Sequence, residues 1–323
     1  MLFIEDIDCM LKLNLIKMKH NFIYLIFAFV FTSCNQYFKN DYDDNSPTSG
    51  KLKVYYDEGL TSHVKELTTL FEANYTNAKI QLKACNDDEA IQALLNDSCK
   101  AIIVSRPLSL IEEKNFKAKK WMPDNSVVAL NGLGILVNYS FPIKSLSTNQ
   151  IYKLLSEENV LTDSTGNNIT VNVVFDKNNS SVLHYLKDSI LKTKKFAKHC
   201  NTLTNAIEAI DYVSKNKSSI AFIDYASFSD VDDTLNKFYN SKVKFIAIKK
   251  INNDTAFLPN QSSFLLNQYP FIRKIYVYKT ASEFSLAKGF QTFIAGPKGQ
   301  HVFLKGGLMP TKQQERSITV KLN

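Results

Sequence analysis

Arginine is scarce. Of 39 basic residues only Arg106, Arg273 and Arg316 are arginine, and the remainder are lysine. The lysines are scattered, and their densest group, Lys114, Lys117, Lys119 and Lys120, suits a solvated helix face. The chain is basic overall, with a formal charge of +8. Yet no basic stripe carries interleaved aromatics, so nucleic-acid binding is not expected. No Cys/His grouping has metal-ligand spacing, since His63, His184 and His301 stand apart. No cofactor is implied. There is no internal repeat and no Gly-x-Ser-x-Gly nucleophile elbow. Ser181 and His184 lie one helical turn apart, but no acid is in place to orient the histidine, so an enzyme is not expected. At 45% hydrophobic and 22% charged, the 323 residues are neither disordered nor fibrous and can bury one large or two medium cores.

The run Phe22–Phe31 ("FIYLIFAFVF") is too short to span a bilayer but suits the apolar centre of a signal peptide. Lys17, Lys19 and His20 supply its positive flank, and the small residues Thr32 and Ser33 lead directly to Cys34. That "FTSC" stretch resembles a bacterial lipobox, with Phe31 where Leu is more usual. The resemblance implies a leader over 1–33 and a lipidated Cys34 as the mature N-terminus, anchored to a membrane. Glu5, Asp6 and Asp8 fit a signal n-region badly, so translation is read as starting at Met18. The competing reading, a buried helix, leaves Cys34 a coincidence. Residues 34–50, polar, acidic and broken by Pro47 and Gly50, read as a flexible tether. Cys85, Cys99 and Cys200 are expected as free, mostly buried thiols, because Cys85 ends one strand and Cys99 begins the next at the far end of the sheet.

From Lys51 the pattern alternates strand and helix: "LKVYY", Thr61–Tyr75, "KIQLKA", Glu89–Leu95, "KAIIVS", Leu110–Lys120. Apolar strands alternating with helices predict a mainly parallel sheet covered on both faces. "SVVALNGLGILVNYS" is long for one strand, and its Asn131-Gly132 pair suggests a turn. A second α/β unit follows: helix Thr148–Glu157, strand "TVNVVFD", helices Ser181–Leu191 and Leu203–Lys215, strand "SIAFID" and the closing "KVKFIAIK". The chain returns through "FIRKIYVYK", helices Glu283–Ala295 and Gly299–Leu304, and a final strand "SITVK".

Several segments fall in the order of one family: "VSRPLSLIEEK", "VVALNGLGILVNYSFPIKSLSTNQIYKLLSEE", "VVFDKNNSSVLHYLKDSI", "SIAFIDYA" and "NQYPFIRKIYVYKTASEFSLAKGFQTFIAGPKGQHVFLKGGLMP". Together they resemble a substrate-binding lipoprotein of the phosphate-binding type, with the type II periplasmic-binding-protein fold, in the branch found in Bacteroidetes-like bacteria. The resemblance covers Lys51 to the C-terminus. It implies two α/β lobes joined by two crossovers near Asn138 and Lys242–Lys250, lobe I at 51–137 with 246–323 and lobe II at 138–245. The lobes would close by hinge rotation over inorganic phosphate or a similar oxyanion and deliver it to an ABC transporter permease. The rival reading is a surface or sensory binding lipoprotein for another ligand, uncoupled from transport.

Open α/β sheets bind ligands at the carboxyl ends of strands, where helix N-termini favour anions. Three such ends carry candidates: Glu58, Gly59, Leu60 and Thr61 after the first strand; Ser105 and Arg106 after the third; Asp176, Asn179, Ser180, Ser181 and Val182 in the second unit. Arg106 stands out in a lysine-rich chain because its fork suits an oxyanion, against a plain ion pair with Glu112 or Glu113. Ser180 and Ser181 read equally as helix caps. The phosphate-binding family has Arg-x-x-x-Ser-Gly-Thr at the second-lobe turn. Here Asp176 replaces the Arg, and Ser180-Ser181-Val182 replaces Ser-Gly-Thr. Asp176 or Glu58 would then have to accept a proton from the ligand.

Overall fold

Residues 46–192, 194–251 and 254–312 are described by the computed structural model. The leader, Cys34, most of the tether and the closing strand Ser317–Lys321 lie outside the described residues.

Strand and helix alternate as the hydrophobic pattern predicts. β1 (Gly50–Asp57), α1 (Thr61–Asn74), β2 (Ala78–Cys85), α2 (Asp87–Leu95), β3 (Ala101–Val104) and α3 (Leu110–Ala118) come first. β1 pairs parallel with both β2 and β3. Val64, Leu67 and Phe71 of α1 are buried on the sheet, as their spacing requires. α3 opens on a capping box made by Ser109 and Glu112.

β4 (Asp124–Asn138) is one unbroken strand of 15 residues. The expected turn at Asn131-Gly132 is absent. The Asn131 side chain is buried and donates to Asp224 Oδ1 at 2.7 Å. Gly132 is glycine for space, because a Cβ there would stand 2.9 Å from the ring of Phe264. β14 (Ile272–Lys279) pairs antiparallel with Asp124–Gly132, and β10 (Ser219–Asp224) with Leu133–Val137. β4 therefore changes partner between Gly132 and Leu133, ahead of the lobe boundary expected at 137/138.

After β4 the chain forms β5 (Ser145–Ser147), α4 (Thr148–Ser156), the hairpin β6 (Val160–Thr162) and β7 (Asn168–Thr170), then β8 (Asn172–Phe175) and α5 (Ser181–Tyr185). It continues with β9 (Cys200–Thr202), α6 (Ala206–Lys215), β10, α7 (Thr234–Tyr239), β11 (Val243–Phe245) and β12 (Ala247–Lys249). The expected strand "TVNVVFD" divides at Val171, whose amide leaves the ladder for Asn159 O at 2.7 Å. The expected helix Ser181–Leu191 becomes wider i→i+5 turns over Leu186–Leu191. Leu186 and Leu191, five positions apart, are both buried, a spacing the wider turn serves. The chain then returns through β13 (Ala256–Phe257), α8 (Gln261–Leu265), β14, α9 (Leu286–Ala295), α10 (Pro297–Lys305) and β15 (Met309–Pro310).

The main sheet runs β2-β1-β3-β14-β4-β10-β8-β9, with β11 and β15 also on β4. This is the two-lobed α/β architecture expected, with antiparallel pairing at β14 and β4 where the lobes join. Cys85, Cys99 and Cys200 are free thiols, the first two buried and the third half-buried.

Candidate functional site

Strand ends from both lobes meet along one line, and most deliver an acid or a hydroxyl to it. β1 ends in Asp57, β2 leads into Asp87, β3 into Ser105, β8 into Asp176, and β10 ends in Asp224. Arg273 comes from the opposite direction, near the start of antiparallel β14.

Arg273 is the centre of the arrangement and only 4% exposed. Nη1 donates to Asp224 Oδ2 at 2.7 Å, and Nη2 donates to Asp87 Oδ2 at 3.1 Å while standing 3.5 Å from Asp57 Oδ2. Its Nε–H is buried without a hydrogen-bond partner. The Tyr185 ring centroid lies 5.5 Å from the guanidinium carbon, a cation–π contact. Three carboxylates around one guanidinium leave an excess of acid. Burial pushes Asp87 up to about 7, with repulsion from Asp57 adding and Arg273 opposing. Burial likewise pushes Asp224 up to about 6 against the pull of Arg273. Asp224 Oδ1 is held by the Asn131 amide and by Ala226 N at 2.9 Å.

The lobes touch directly across this line. Asp87 N donates to Ser181 Oγ at 2.9 Å, and Asn86 Nδ2 to Asn179 O at 3.0 Å. Lys177 Nζ reaches Glu58 Oε2 at 2.6 Å, and His184 Nδ1 lies 2.9 Å from Asp88 Oδ2. Gly59 packs on Asp224 so closely that a Cβ would stand 2.6 Å from the Asp224 Cβ.

The structure thus brings Glu58, Gly59, Ser105, Asp176, Asn179 and Ser181 to the interlobe line, with different tasks. Ser105 N donates to Asp87 Oδ1 at 2.9 Å, and Ser105 Oγ is buried without a partner. Asp176 Oδ1 accepts from Lys177 N at 2.8 Å and from Ser180 Oγ at 2.7 Å. Burial pushes the Asp176 carboxyl up to about 7. Ser180 also accepts from Leu183 N at 3.2 Å, so its hydroxyl serves as a helix cap. Asn179 adopts φ +59°, a region Asn tolerates. Thr61 Oγ1 donates to Glu58 O at 2.6 Å. The side chains of Leu60 and Val182 belong to the hydrophobic core, 0% and 1% exposed.

Arg106 is spent within its own lobe. Nη1 donates to Glu112 Oε2 at 2.9 Å, and Nη2 to Glu112 Oε1 at 2.7 Å and Asp88 Oδ1 at 2.6 Å. The ion pair with Glu112, the competing reading of this residue, is the one formed, because Glu112 is fixed by the capping box within reach of the fork.

Sequence reasoning passed over Arg273, Asp57, Asp87 and Asp224. The signal for Arg273 was available. It alternates onto the inward face of β14 with Ile275 and Val277, a charge in an apolar row, and it is as rare a residue type here as Arg106.

Two cavities flank the cluster. One of about 340 Å³ is lined by Ser105, Ser181, Tyr185, Arg273 and Tyr276 among others. The other, about 540 Å³, is lined by Glu58, Thr61, Asp176, Lys177 and Thr204 among others. Among the described residues no His/Cys/Asp/Glu group is arranged to hold a metal ion, and no helix is long and apolar enough to cross a membrane.

The family model of the PBP superfamily domain matches residues 44–298. A candidate phosphate ABC transporter substrate-binding protein from Clostridium perfringens, solved with bound phosphate, is similar at 15% identity and TM-score 0.65, over 81% of this chain and 100% of that one. An ABC-type phosphate transport receptor from Vibrio cholerae is similar at 16% identity and TM-score 0.62, over 80% and 99%. A possible phosphate-binding protein from Planctomyces limnophilus gives 17% identity and TM-score 0.59, over 82% and 94%. At these identities the likeness is one of fold. No curated protein matches the chain.

Proposed function

The chain belongs to the PBP superfamily, and from that premise we propose that it captures a small oxyanion, inorganic phosphate first among the candidates, between its lobes and delivers it to an ABC transporter permease. Solved proteins of the same fold are described as phosphate-binding, which supports this choice of ligand. The observation that carries the reading is the guanidinium of Arg273. It is buried where strand ends of both lobes converge, and its Nε–H and the neighbouring Ser105 Oγ have no protein partner. A charged donor out of water is the group an oxyanion seeks. Burial raises Asp87 to about 7 and Asp224 to about 6, so these carboxyls take up protons more readily than exposed ones when an anion arrives.

Arg273, Ser105 and Ser181 form the oxyanion contacts on this reading. Asp176 and Glu58 line the second cavity, and Arg106 shapes the rim through Glu112. The role is binding and release, not catalysis. The protein acts outside the cytoplasm, held to the membrane by a lipid on Cys34, with residues 34–50 as the tether, residues 51–137 and 246–323 as the near lobe and 138–245 as the far one.

Calorimetry on ligand-stripped full-length protein tests the reading. Phosphate should bind, and Arg273→Lys should weaken it about tenfold or more, since a charged hydrogen bond contributes roughly 1.5–3 kcal/mol. Arg106→Ala should change affinity far less. Absence of binding heat with phosphate in the wild type refutes the ligand, and undiminished binding by Arg273→Lys refutes the site.

A further inference from the structure

The cavity beside Arg273 is larger than a bare oxyanion needs. It holds about 340 Å³, whereas a water takes roughly 30 Å³ and a tetrahedral oxyanion has only five heavy atoms. Its lining is also of two kinds. Ser105 and Arg273, 3% and 4% exposed, line it, and each carries a polar atom that no protein group satisfies. Ser181 Oγ already accepts from the Asp87 amide, which leaves its hydrogen to donate. Each of the three can donate to an oxygen of a bound ligand. The rest of the wall includes Pro107, Tyr185, Ile272 and Tyr276. Tyr276 is steadied by stacking on Tyr278, with centroids 5.7 Å apart and planes 15° from parallel. A bare oxyanion leaves that apolar wall wet. Asp87 and Asp188 also line the cavity, as do Arg106, His184 and Lys274, so its wall carries charge of both signs beside the apolar part.

We propose that this cavity binds an oxyanion bearing an organic group, a phosphonate or a phosphate monoester, with its terminal oxygens on Arg273, Ser105 and Ser181 and its organic group against Tyr185, Ile272 and Tyr276. The inference rests on the oxyanion reading of Arg273 and specifies the ligand class.

Calorimetry of the full-length protein with inorganic phosphate, methylphosphonate and phenylphosphonate separates the two claims. Phenylphosphonate should bind about tenfold tighter than inorganic phosphate, the return on burying part of a phenyl ring, with methylphosphonate between them. Tyr276→Ala should lower phenylphosphonate affinity about fivefold or more, and Tyr276→Phe should restore it, since the wall uses the ring and not the hydroxyl. Phosphate binding as tightly as phenylphosphonate overturns this inference and leaves the oxyanion reading standing. Failure of all three to bind overturns both.

Discussion

Replacing Arg273 by methionine removes the only cation among three buried carboxylates while keeping a long side chain in place. The guanidinium lies 2.7, 3.1 and 3.5 Å from Asp224, Asp87 and Asp57, with every side chain 2% exposed. Removing one partner of a buried ion pair costs about 3–5 kcal/mol, because the charge left behind stays buried. In a fold of this size each kcal/mol moves the melting temperature about 2–4 °C, so a fall of roughly 10 °C is expected at pH 8. The fall should shrink in acid. Asp87 and Asp224 are raised from 3.8 to about 7 and about 6, so the folded state binds protons that the unfolded state has lost. Their stabilising contribution is complete below about pH 4 and disappears as pH rises through 6 to 7. Without Arg273 both carboxyls rise further, and protonation at pH 5 removes most of the uncompensated charge. Calorimetric melting of wild type and variant at pH 5, 6.5 and 8 reads this as a difference in which other titrating groups cancel. A loss at pH 5 equal to that at pH 8 would refute the account of the cluster as a charge-excess site.

Gly59→Ala should hold the lobes apart, since its Cβ would stand 2.6 Å from the Asp224 Cβ. Small-angle scattering should show a larger radius with oxyanion present and calorimetry a weaker affinity, and a wild-type profile would remove Gly59 from the closure surface. Cys34→Ala should abolish incorporation of radiolabelled fatty acid and release the protein from membranes. Labelling that persists in the variant would show that the acyl chain sits elsewhere.

Most elements could be read from sequence because the chain punctuates itself plainly, with capped helices such as Leu110–Ala118 and apolar strands such as Ser219–Asp224. What failed to show was long-range. The Asn131-Gly132 pair has turn chemistry, but Asp224 holds the Asn131 side chain and Phe264 fills the space at Gly132, both distant in sequence, and β4 runs on through the pair. The strand ends could be located, and with them the candidate line, because the topology of open sheets puts ligands there. Which arginine serves it could not be judged from local context. Arg106 and Arg273 are equally rare, and only the fold shows that one meets Glu112 of the helix that follows it while the other meets acids from three separate strand ends.

The place of β14 in the sheet also sets an order of assembly. β14 lies between β3 and β4, yet it is among the last strands to be synthesised. β8, β9, β10 and β11 have their sheet partners by Phe245, whereas β3 and the Asp124–Gly132 part of β4 keep bare edges until Ile272–Lys279 is made. Joining segments so far apart in the chain is slow, because loop closure must precede any reward. Asp57, Asp87 and Asp224 therefore wait unneutralised for a cation that comes with the late strand, and a nascent chain of this kind remains threadable for most of its synthesis. For a polypeptide read as exported, a sheet that locks only when the late strand Ile272–Lys279 arrives keeps the chain fit for translocation through most of its synthesis.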